Sequence, residues 1–208
     1  PCHAYLAVCI TRLSLGVQRL HTQQLAALER IHNPQHALLA IVNAKQAGFK
    51  KLNVDLMHGL PNQTLTDALS DLQQAIDLGV SHISWYQLTI EPNTVFYRNT
   101  PILPDDEILV DIFEQGAQLL QANGFVQYEV SAWSRQADFQ PSQHNLNYWQ
   151  FGDYLAIGAG AHGKVTRPDG IYRFSKSRLP KDYRVNQSAI GWQAIEPSDL
   201  PFEFMMNG

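Results

Sequence analysis

The sequence predicts an α/β fold, part of a TIM-like (β/α) barrel, followed by a small mixed α+β subdomain. β-like segments alternate with helical segments along the first half of the chain, and the connections between them are short. Polar residues recur where the successive predicted strands end. Strand–helix–strand repeats of this kind form parallel strands joined by right-handed crossovers. In a barrel, the carboxyl ends of those strands meet at one mouth, where binding sites are built.

The first unit begins with an alternating, β-like segment at residues 12–18. Residues 22–31 then carry apolar side chains at helical spacing. Asn33 as a cap and Pro34 at the first helical position predict the start of a second helix. That helix ends at Gly48, because glycine suits the left-handed turn that closes a helix.

The next units repeat the same pattern. A strand over residues 51–57 precedes a helix that Thr64 or Thr66 caps and that ends at Gly79. A third strand covers residues 82–88.

Asp105 starts a further helix, and a strand at residues 126–130 follows it. The polar residues expected at the mouth of the barrel are Gln18, Asp55, Gln87 or Thr89, and Glu129 or Ser131.

The pattern changes after Ser131. Residues 134–143 are polar and loop-like, and a hairpin is predicted to turn at Pro168, Asp169 and Gly170. We therefore expect a barrel region over residues 1–131 and a smaller subdomain over residues 132–208.

Composition excludes several classes of protein. The net charge of the 208 residues is −4, and the basic residues are scattered, which argues against nucleic acid as the main partner. The sequence contains no run of about 18 apolar residues, which is the length that would predict a transmembrane helix. Cys2 and Cys9 are the two cysteines, and their spacing favours free thiols of a reducing cytoplasm over a disulfide or a metal site. Because the chain opens without an initiator Met, we expect it to be part of a longer protein.

The segment Gly158-Ala-Gly-Ala-His-Gly163 matches the dinucleotide-binding pattern G-x-G-x-x-G. That pattern requires a helix that begins at its last glycine. Residues 164–174 instead predict a strand, a turn and a strand. We therefore interpret the glycines as a tight turn or a close approach of the backbone.

Gln18, Arg30 and Asp55 form a candidate site. Gln18 and Asp55 lie at the ends of neighbouring predicted strands, and Arg30 lies late in the helix between them. A carboxylate beside an amide can bind a ribose diol, and an Arg can bind a carboxylate through two hydrogen bonds. A salt bridge that lines the mouth of the barrel explains the set equally well.

A second candidate is the segment His144-Asn-Leu-Asn-Tyr-Trp149, which we predict to be a loop. A histidine flanked by aromatic rings can ligate haem iron, because imidazole suits iron and the rings cover a flat macrocycle. Aromatic packing beneath a loop is the alternative, and the spacing alone favours it.

Five segments, in order over nearly the whole chain, resemble the HemW and HemN branch of the radical S-adenosylmethionine (SAM) superfamily. They are Arg12-Leu-Ser-Leu-Gly-Val-Gln18, Asn53-Val-Asp-Leu-Met-His-Gly-Leu-Pro61, Ser84-Trp-Tyr-Gln-Leu-Thr-Ile-Glu-Pro92, His144-Asn-Leu-Asn-Tyr-Trp149 and Ile157-Gly-Ala-Gly-Ala-His-Gly163. The resemblance is closest to the haem-chaperone members, because the coproporphyrinogen oxidases lack the His-Asn-x-x-Tyr-Trp segment.

The resemblance implies a partial radical SAM barrel with a [4Fe-4S] cluster and SAM at its mouth. It implies SAM contacts at Gln18, Arg30 and Asp55, and more weakly at Thr89, and it places His144 in the family's haem-binding motif as a candidate iron ligand. Cys2 and Cys9 do not match the family's C-x-x-x-C-x-x-C cluster motif. We therefore expect the cluster ligands upstream of residue 1 and a truncated C-terminal extension over residues 132–208.

The resemblance leads to three hypotheses. The first is a cytoplasmic haem chaperone that transfers haem to apo-haemoproteins, with SAM, a [4Fe-4S] cluster and haem as its cofactors. The second is an oxygen-independent coproporphyrinogen III oxidase, which is an enzyme. The third is a truncated gene product without activity. The sequence is also compatible with a homodimer.

Overall fold

The structure of the chain, a computed structural model, describes residues 2–20, 34–188 and 190–205. The chain divides into two compact units, Pro1–Pro141 and Ser142–Gly208. None of the helices in the described residues is long and apolar enough to cross a membrane.

The first unit is a five-stranded sheet with helices. Its helices are α1 (Cys2–Ala7), α2 (Pro34–Gln46), α3 (Leu65–Asp77), α4 (Val95–Arg98) and α5 (Asp106–Ala122). Its strands are β1 (Arg12–Gln18), β2 (Lys51–His58), β3 (His82–Gln87), β4 (Phe125–Gln127) and β5 (Ala132–Arg135). The strand order is β1-β2-β3-β5-β4. β1, β2 and β3 are parallel, as predicted, and the class is α/β.

The fourth strand is where the prediction was wrong. We expected one parallel strand at residues 126–130, but β4 ends at Gln127 and the chain reverses before it enters β5. β5 runs antiparallel to both β3 and β4 and lies between them. In the reversal, the Trp85 amide donates to the Ser131 carbonyl at 2.7 Å. Because β5 completes the first sheet, the compact units divide after Pro141, ten residues later than the boundary we expected after residue 131.

The helix ends follow from local chemistry. Thr64 caps α3: its hydroxyl accepts a hydrogen bond from the Asp67 amide at 3.2 Å, and the Asp67 carboxylate accepts one from the Thr64 amide at 3.1 Å. This reciprocal pair confirms Thr64 over Thr66 as the cap. Gly79 follows α3 with φ +63°, a left-handed conformation that glycine adopts without steric cost.

The other predicted helix boundaries are also confirmed where the structure describes them. α2 begins at Pro34, and Gly48 follows its end with φ +100°. The Asp105 carboxylate caps α5 by accepting from the Ile108 amide at 2.9 Å. The predicted helix at residues 22–31 and its neighbour Asn33 lie outside the described residues.

The hydrophobic core lies on one face of the sheet. Alternate strand residues point to the same face, and on this face they pack against α2, α3 and α5. The buried members include Val54, Ile83, Trp85 and Trp133 from the strands and Ile41, Leu72 and Ile112 from the helices. A Cβ atom at Gly116 of α5 would overlap the Trp85 ring, so this contact requires glycine.

The second unit contains a three-stranded antiparallel sheet. Its elements are α6 (Gln143–Trp149), β6 (His162–Arg167), β7 (Gly170–Ser175), α7 (Pro180–Val185), β8 (Ile190–Ala194) and α8 (Leu200–Met205). The strand order is β6-β7-β8. The predicted hairpin is confirmed, because Arg167 pairs with Gly170 across the Pro168-Asp169 turn.

The glycine segment before β6 does not form a nucleotide-binding loop. Gly163 lies in β6 and no helix opens there, so the interpretation as a turn and a close approach is confirmed. Gly158 and Gly160 have left-handed φ values of +104° and +70°. A Cβ atom at Gly163 would overlap the Phe174 ring of the neighbouring strand.

Candidate functional site

The second face of the five-stranded sheet carries polar side chains at alternate positions. We call it the polar face. The strand register aligns these residues in two rows across β1, β2 and β3: Ser14, Asn53 and His82 in one, and Gly16, Asp55 and Ser84 in the next. A sheet face covered only by core contacts is normally apolar, so this pattern indicates a surface built for polar contacts.

Asn53 is the centre of the polar face. Its amide nitrogen donates to Ser14 Oγ and to Asp55 Oδ1, both at 2.7 Å. Its amide oxygen accepts from Ser84 Oγ at 3.1 Å and lies 2.6 Å from His82 Nδ1. Ser14 Oγ also donates to Asp55 Oδ2 at 3.0 Å. Both oxygens of the Asp55 carboxylate are therefore held in place.

His82 extends this set of hydrogen bonds to Tyr128, on the segment that leads from β4 to β5. His82 Nε2 lies 2.6 Å from the Tyr128 hydroxyl, and the imidazole is buried. Burial, together with the smaller effect of the nearby Arg12 charge, lowers the pKa of His82 to about 4. His82 is therefore neutral at pH 7.

Asp55 keeps capacity for a ligand. The residue is half-buried, so its carboxylate is reachable from the polar face. An ionised carboxylate offers about four acceptor positions, and Ser14 and Asn53 use one each of its two oxygens. The remaining positions can accept hydrogen bonds from a diol.

Gln18 lies on the same face. Its φ is +56°, an uncommon value for a residue other than glycine. A Cβ atom at Gly16 would lie 2.7 Å from Gln18 Nε2, so the Gln18 amide lies over Gly16, the register partner of Asp55. Gln18 and Asp55 thus lie on the neighbouring strands β1 and β2, and their joint role as ligand contacts stays a prediction. Backbone strain of this kind occurs at binding sites, where surrounding contacts hold it in place.

The remaining predicted site residues of the first unit are less defined. Arg30 lies outside the described residues. Thr89 is exposed on the segment after β3, and Gln87 is exposed at the end of that strand. Ser131 Oγ donates to Glu129 Oε1 at 3.2 Å within the reversal between β4 and β5.

Arg19, which sequence reasoning missed, fixes the chain directly after Gln18. Its guanidinium is fully buried, with Nε 3.4 Å from Asp71 Oδ2 and Nη2 3.7 Å from Asp67 Oδ2. Asp71 Oδ1 also accepts from the Leu20 amide at 3.0 Å. The end of β1 is therefore bound to α3 by a buried ion pair. The available signal was a pair of aspartates four residues apart on one helix, which share a face.

His144 lies on α6, so our prediction of a loop was wrong. Ser142 caps this helix, with its hydroxyl accepting from the Asn145 amide at 3.4 Å. The His144 side chain is exposed and contacts Tyr148, one helical turn later, edge to face at a centroid distance of 4.6 Å. Tyr148 in turn contacts Tyr154 at 4.4 Å. An accessible imidazole thus adjoins two tyrosine rings.

The chain after α6 is held tightly against it. Asn147 Nδ2 donates to the Asp153 carbonyl at 3.0 Å, and the Gly152 amide donates to the Asn147 carbonyl at 2.7 Å. A Cβ atom at Gly152 would overlap the Asn147 side chain, so glycine is required there. These contacts fix the segment that carries Tyr154 relative to α6.

Within residues 2–20, 34–188 and 190–205, no group of three or more His, Cys, Asp or Glu side chains could hold a metal ion. Cys2 and Cys9 are both free thiols. The described residues therefore do not supply the thiolate set that a [4Fe-4S] cluster needs.

Comparison with known proteins identifies the relatives of the chain. No protein-family model matches it. It is 55% identical over 98% of its length to the heme chaperone HemW of Haemophilus influenzae and 52% identical over 98% to that of Escherichia coli. It is 35% identical over 75% of its length to the heme chaperone HemW of Bacillus subtilis. The chain spans about half the length of these relatives, 53%, 53% and 42% respectively.

Among solved structures, the fold is similar to that of the coproporphyrinogen III oxidase HemN of Escherichia coli, described as a radical SAM enzyme. The TM-score is 0.76 at 16% sequence identity, over 99% of this chain and 51% of the other. At this identity the likeness shows the fold, while the sequence relatives show the family. The chain belongs to the HemW family.

Proposed function

We propose that the protein to which this chain belongs is a haem chaperone, which binds haem and transfers it to apo-haemoproteins. The observation that carries this proposal is the exposed His144 imidazole beside Tyr148, in a chain more than half identical to proteins named heme chaperone HemW. We propose a cytoplasmic location for the protein, and haem and apo-haemoproteins as its partners.

The chemistry of the His144 region fits haem. Imidazole is a common axial ligand to haem iron. The edge-to-face contact with Tyr148 restricts the orientation of the His144 ring, and the Tyr148 and Tyr154 rings add aromatic surface for a flat macrocycle. A surface position on a short helix also suits a protein that must release its cargo, because a buried ligand would dissociate slowly.

The polar face fits SAM. Asp55 would accept hydrogen bonds from the ribose hydroxyls, and the Gln18 amide on the neighbouring strand would bind a further polar group of SAM. Arg30 and Thr89 are proposed as additional contacts from the resemblance. SAM with a reduced [4Fe-4S] cluster supplies radical chemistry when both are bound. The role of this chain would be to orient SAM.

The described residues do not fit the [4Fe-4S] cluster, since they lack its donor set. We propose that its ligands belong to the part of the protein that the relatives have and this chain does not span. We also propose that β1, β2 and β3 with their helices are part of a (β/α) barrel, with residues 142–208 in a C-terminal extension. The likeness to the fold of HemN supports this arrangement.

The haem chaperone is favoured over the coproporphyrinogen III oxidase. The sequence relatives at 35% to 55% identity are named heme chaperones, whereas the likeness to the oxidase is at 16% identity and shows only the fold. The exposed His144 also belongs to the His-Asn-x-x-Tyr-Trp segment that the oxidases lack.

The haem spectrum of the intact protein tests the proposal. We expect His144→Ala to shift the Soret band and to weaken haem binding by roughly tenfold or more, because an axial ligand to iron is lost. The matched control is His36→Ala, which removes another exposed histidine, from helix α2. Unchanged spectrum and affinity in His144→Ala would show that His144 is not the iron ligand.

A further inference from the structure

Each hydrogen bond in this series has a donor and an acceptor, and the Asp55 carboxylate determines which residue donates at each step. A carboxylate can only accept, so the Asn53 group that lies 2.7 Å from Asp55 Oδ1 must be the amide nitrogen. The Asn53 oxygen therefore faces β3, where it lies 2.6 Å from His82 Nδ1. An amide oxygen can only accept, so the proton of the neutral His82 ring resides on Nδ1.

The direction continues to Tyr128. With its proton on Nδ1, a neutral imidazole offers Nε2 as an acceptor. The Tyr128 hydroxyl, 2.6 Å from Nε2, is then the donor. Four residues on two strands and a loop thus form one chain of bonds that run from Tyr128 through His82 and Asn53 to Asp55.

We propose that Asn53, His82 and Tyr128 are positioning residues that fix the orientation of the Asp55 carboxylate for SAM. The inference rests on the proposed function of Asp55 as a SAM contact. None of the three needs to touch SAM, since each acts on the next residue and only Asp55 presents its free acceptor positions to the ligand.

The hydrogen-bond count supports a positioning role. Asn53 satisfies all four of its side-chain hydrogen-bonding positions, two as donor and two as acceptor. Such a fully bonded residue has one orientation. Burial favours neutral His82, with a pKa of about 4, and the Arg12 charge acts in the same direction. The direction of the chain therefore persists at physiological pH.

Two substitutions break the chain at different distances from Asp55. Asn53→Asp keeps the shape but replaces the donor to Asp55 with a second carboxylate. We expect SAM affinity to fall by roughly tenfold or more, the order seen when partners that orient a binding group are lost. Tyr128→Phe removes only the hydroxyl at the far end, and we expect a fall of about two- to tenfold.

Each variant has a matched control. Asn123→Asp removes an amide that donates to the Leu119 carbonyl at the end of α5. Tyr172→Phe removes a hydroxyl that donates to Asp169 in the second unit. Calorimetric titration of the intact protein with SAM should give the parent affinity for both controls, and thermal melting reports stability separately.

A spectroscopic readout separates positioning from structural support. In the parent, ¹⁵N spectra of labelled histidine should show His82 as the neutral Nδ1–H tautomer at pH 7. In Tyr128→Phe the Nε2 signal should shift, because its donor is gone, while the melting temperature stays close to that of the parent. An Nε2–H tautomer in the parent would overturn the direction of the chain.

The titrations test the positioning role separately from the SAM site itself. If the parent binds SAM and both variants bind it with parent affinity, the positioning role is overturned and the SAM site stands. If the parent does not bind SAM, the proposed site and the positioning role fail together. A graded loss, larger in Asn53→Asp than in Tyr128→Phe, with both controls unchanged, supports the inference.

Discussion

The two faces of the five-stranded sheet are formed by alternate residues of the same strands. They differ in the polarity of their side chains. One face places Val54 and Trp85 in the core, and the other places Asn53, Asp55 and Ser84 in a set of hydrogen bonds. A shift of one residue in strand register would exchange the two faces. The apolar face therefore fixes the register, and that register assembles the polar face.

Two buried histidines show the same contrast. His58, which shares its face with Val54, packs against the Trp85 ring at a centroid distance of 4.4 Å, and its Nδ1 has no hydrogen-bond partner among the described residues. His82 on the polar face has both ring nitrogens bonded. Burial lowers the pKa of each to about 4. Burial is thus the main cause of the neutral charge state of both histidines, while the hydrogen bonds distinguish a packing residue from a member of the site.

The largest predicted effect is on the apolar face. Trp85→Ala should lower the free energy of unfolding by about 3–5 kcal/mol, because it removes a buried ring and leaves a cavity against α5. Urea unfolding measures the change. Val110→Ala, at an exposed position of the same helix, is the control and should stay within about 0.5 kcal/mol of the parent. A loss below about 1 kcal/mol in Trp85→Ala would show that this face does not stabilise the fold.

Much of the apolar face and of the helices that cover it could be predicted from the sequence, because the sequence patterns that specify them are local. The alternation at residues 12–18, the cap at Thr64 and the glycine after α3 each act within a few residues. The four-residue strand β5 was missed because it follows a polar turn and is too short to show a period. The α6 helix was missed because its seven residues show little apolar periodicity.

The polar face was predicted only in part. Gln18 and Asp55 stood out as residues near predicted strand ends. The partnership of Asn53, His82 and Tyr128 depends on the register between two strands and on the position of a loop, which no local pattern specifies. One signal was available: Asn53 and Asp55 are polar at alternate positions of a strand expected to be buried on both faces.

The next predicted effect is a dependence of the free energy of unfolding on pH, to which both His58 and His82 contribute. In the unfolded chain both have pKa values near 6.5, and in the folded chain both have values of about 4. Between these values the unfolded chain binds protons that the folded chain does not. Each histidine should therefore contribute stability that is complete above about pH 6.5 and falls by about 1.4 kcal/mol per pH unit as the pH drops toward 4.

The difference between the parent and His58→Met isolates one of the two contributions. The variant should lose about half of the histidine-dependent slope and keep its SAM affinity, because His58 lies outside the bonded set. Urea unfolding at several pH values between 4 and 7 measures the slope. An unchanged slope in His58→Met would contradict the burial argument for this residue.

We propose that the polar face of the sheet serves a ligand rather than the fold, and the Asp55→Ala substitution separates these two roles. Calorimetric titration of SAM into the intact parent and variant, with thermal melting of both, separates the two roles. We expect a loss of SAM binding on the order of 1–3 kcal/mol, for a hydrogen bond to a charged group, with little change in melting temperature. Unchanged SAM affinity together with a large fall in melting temperature would make Asp55 a structural residue and contradict the claim.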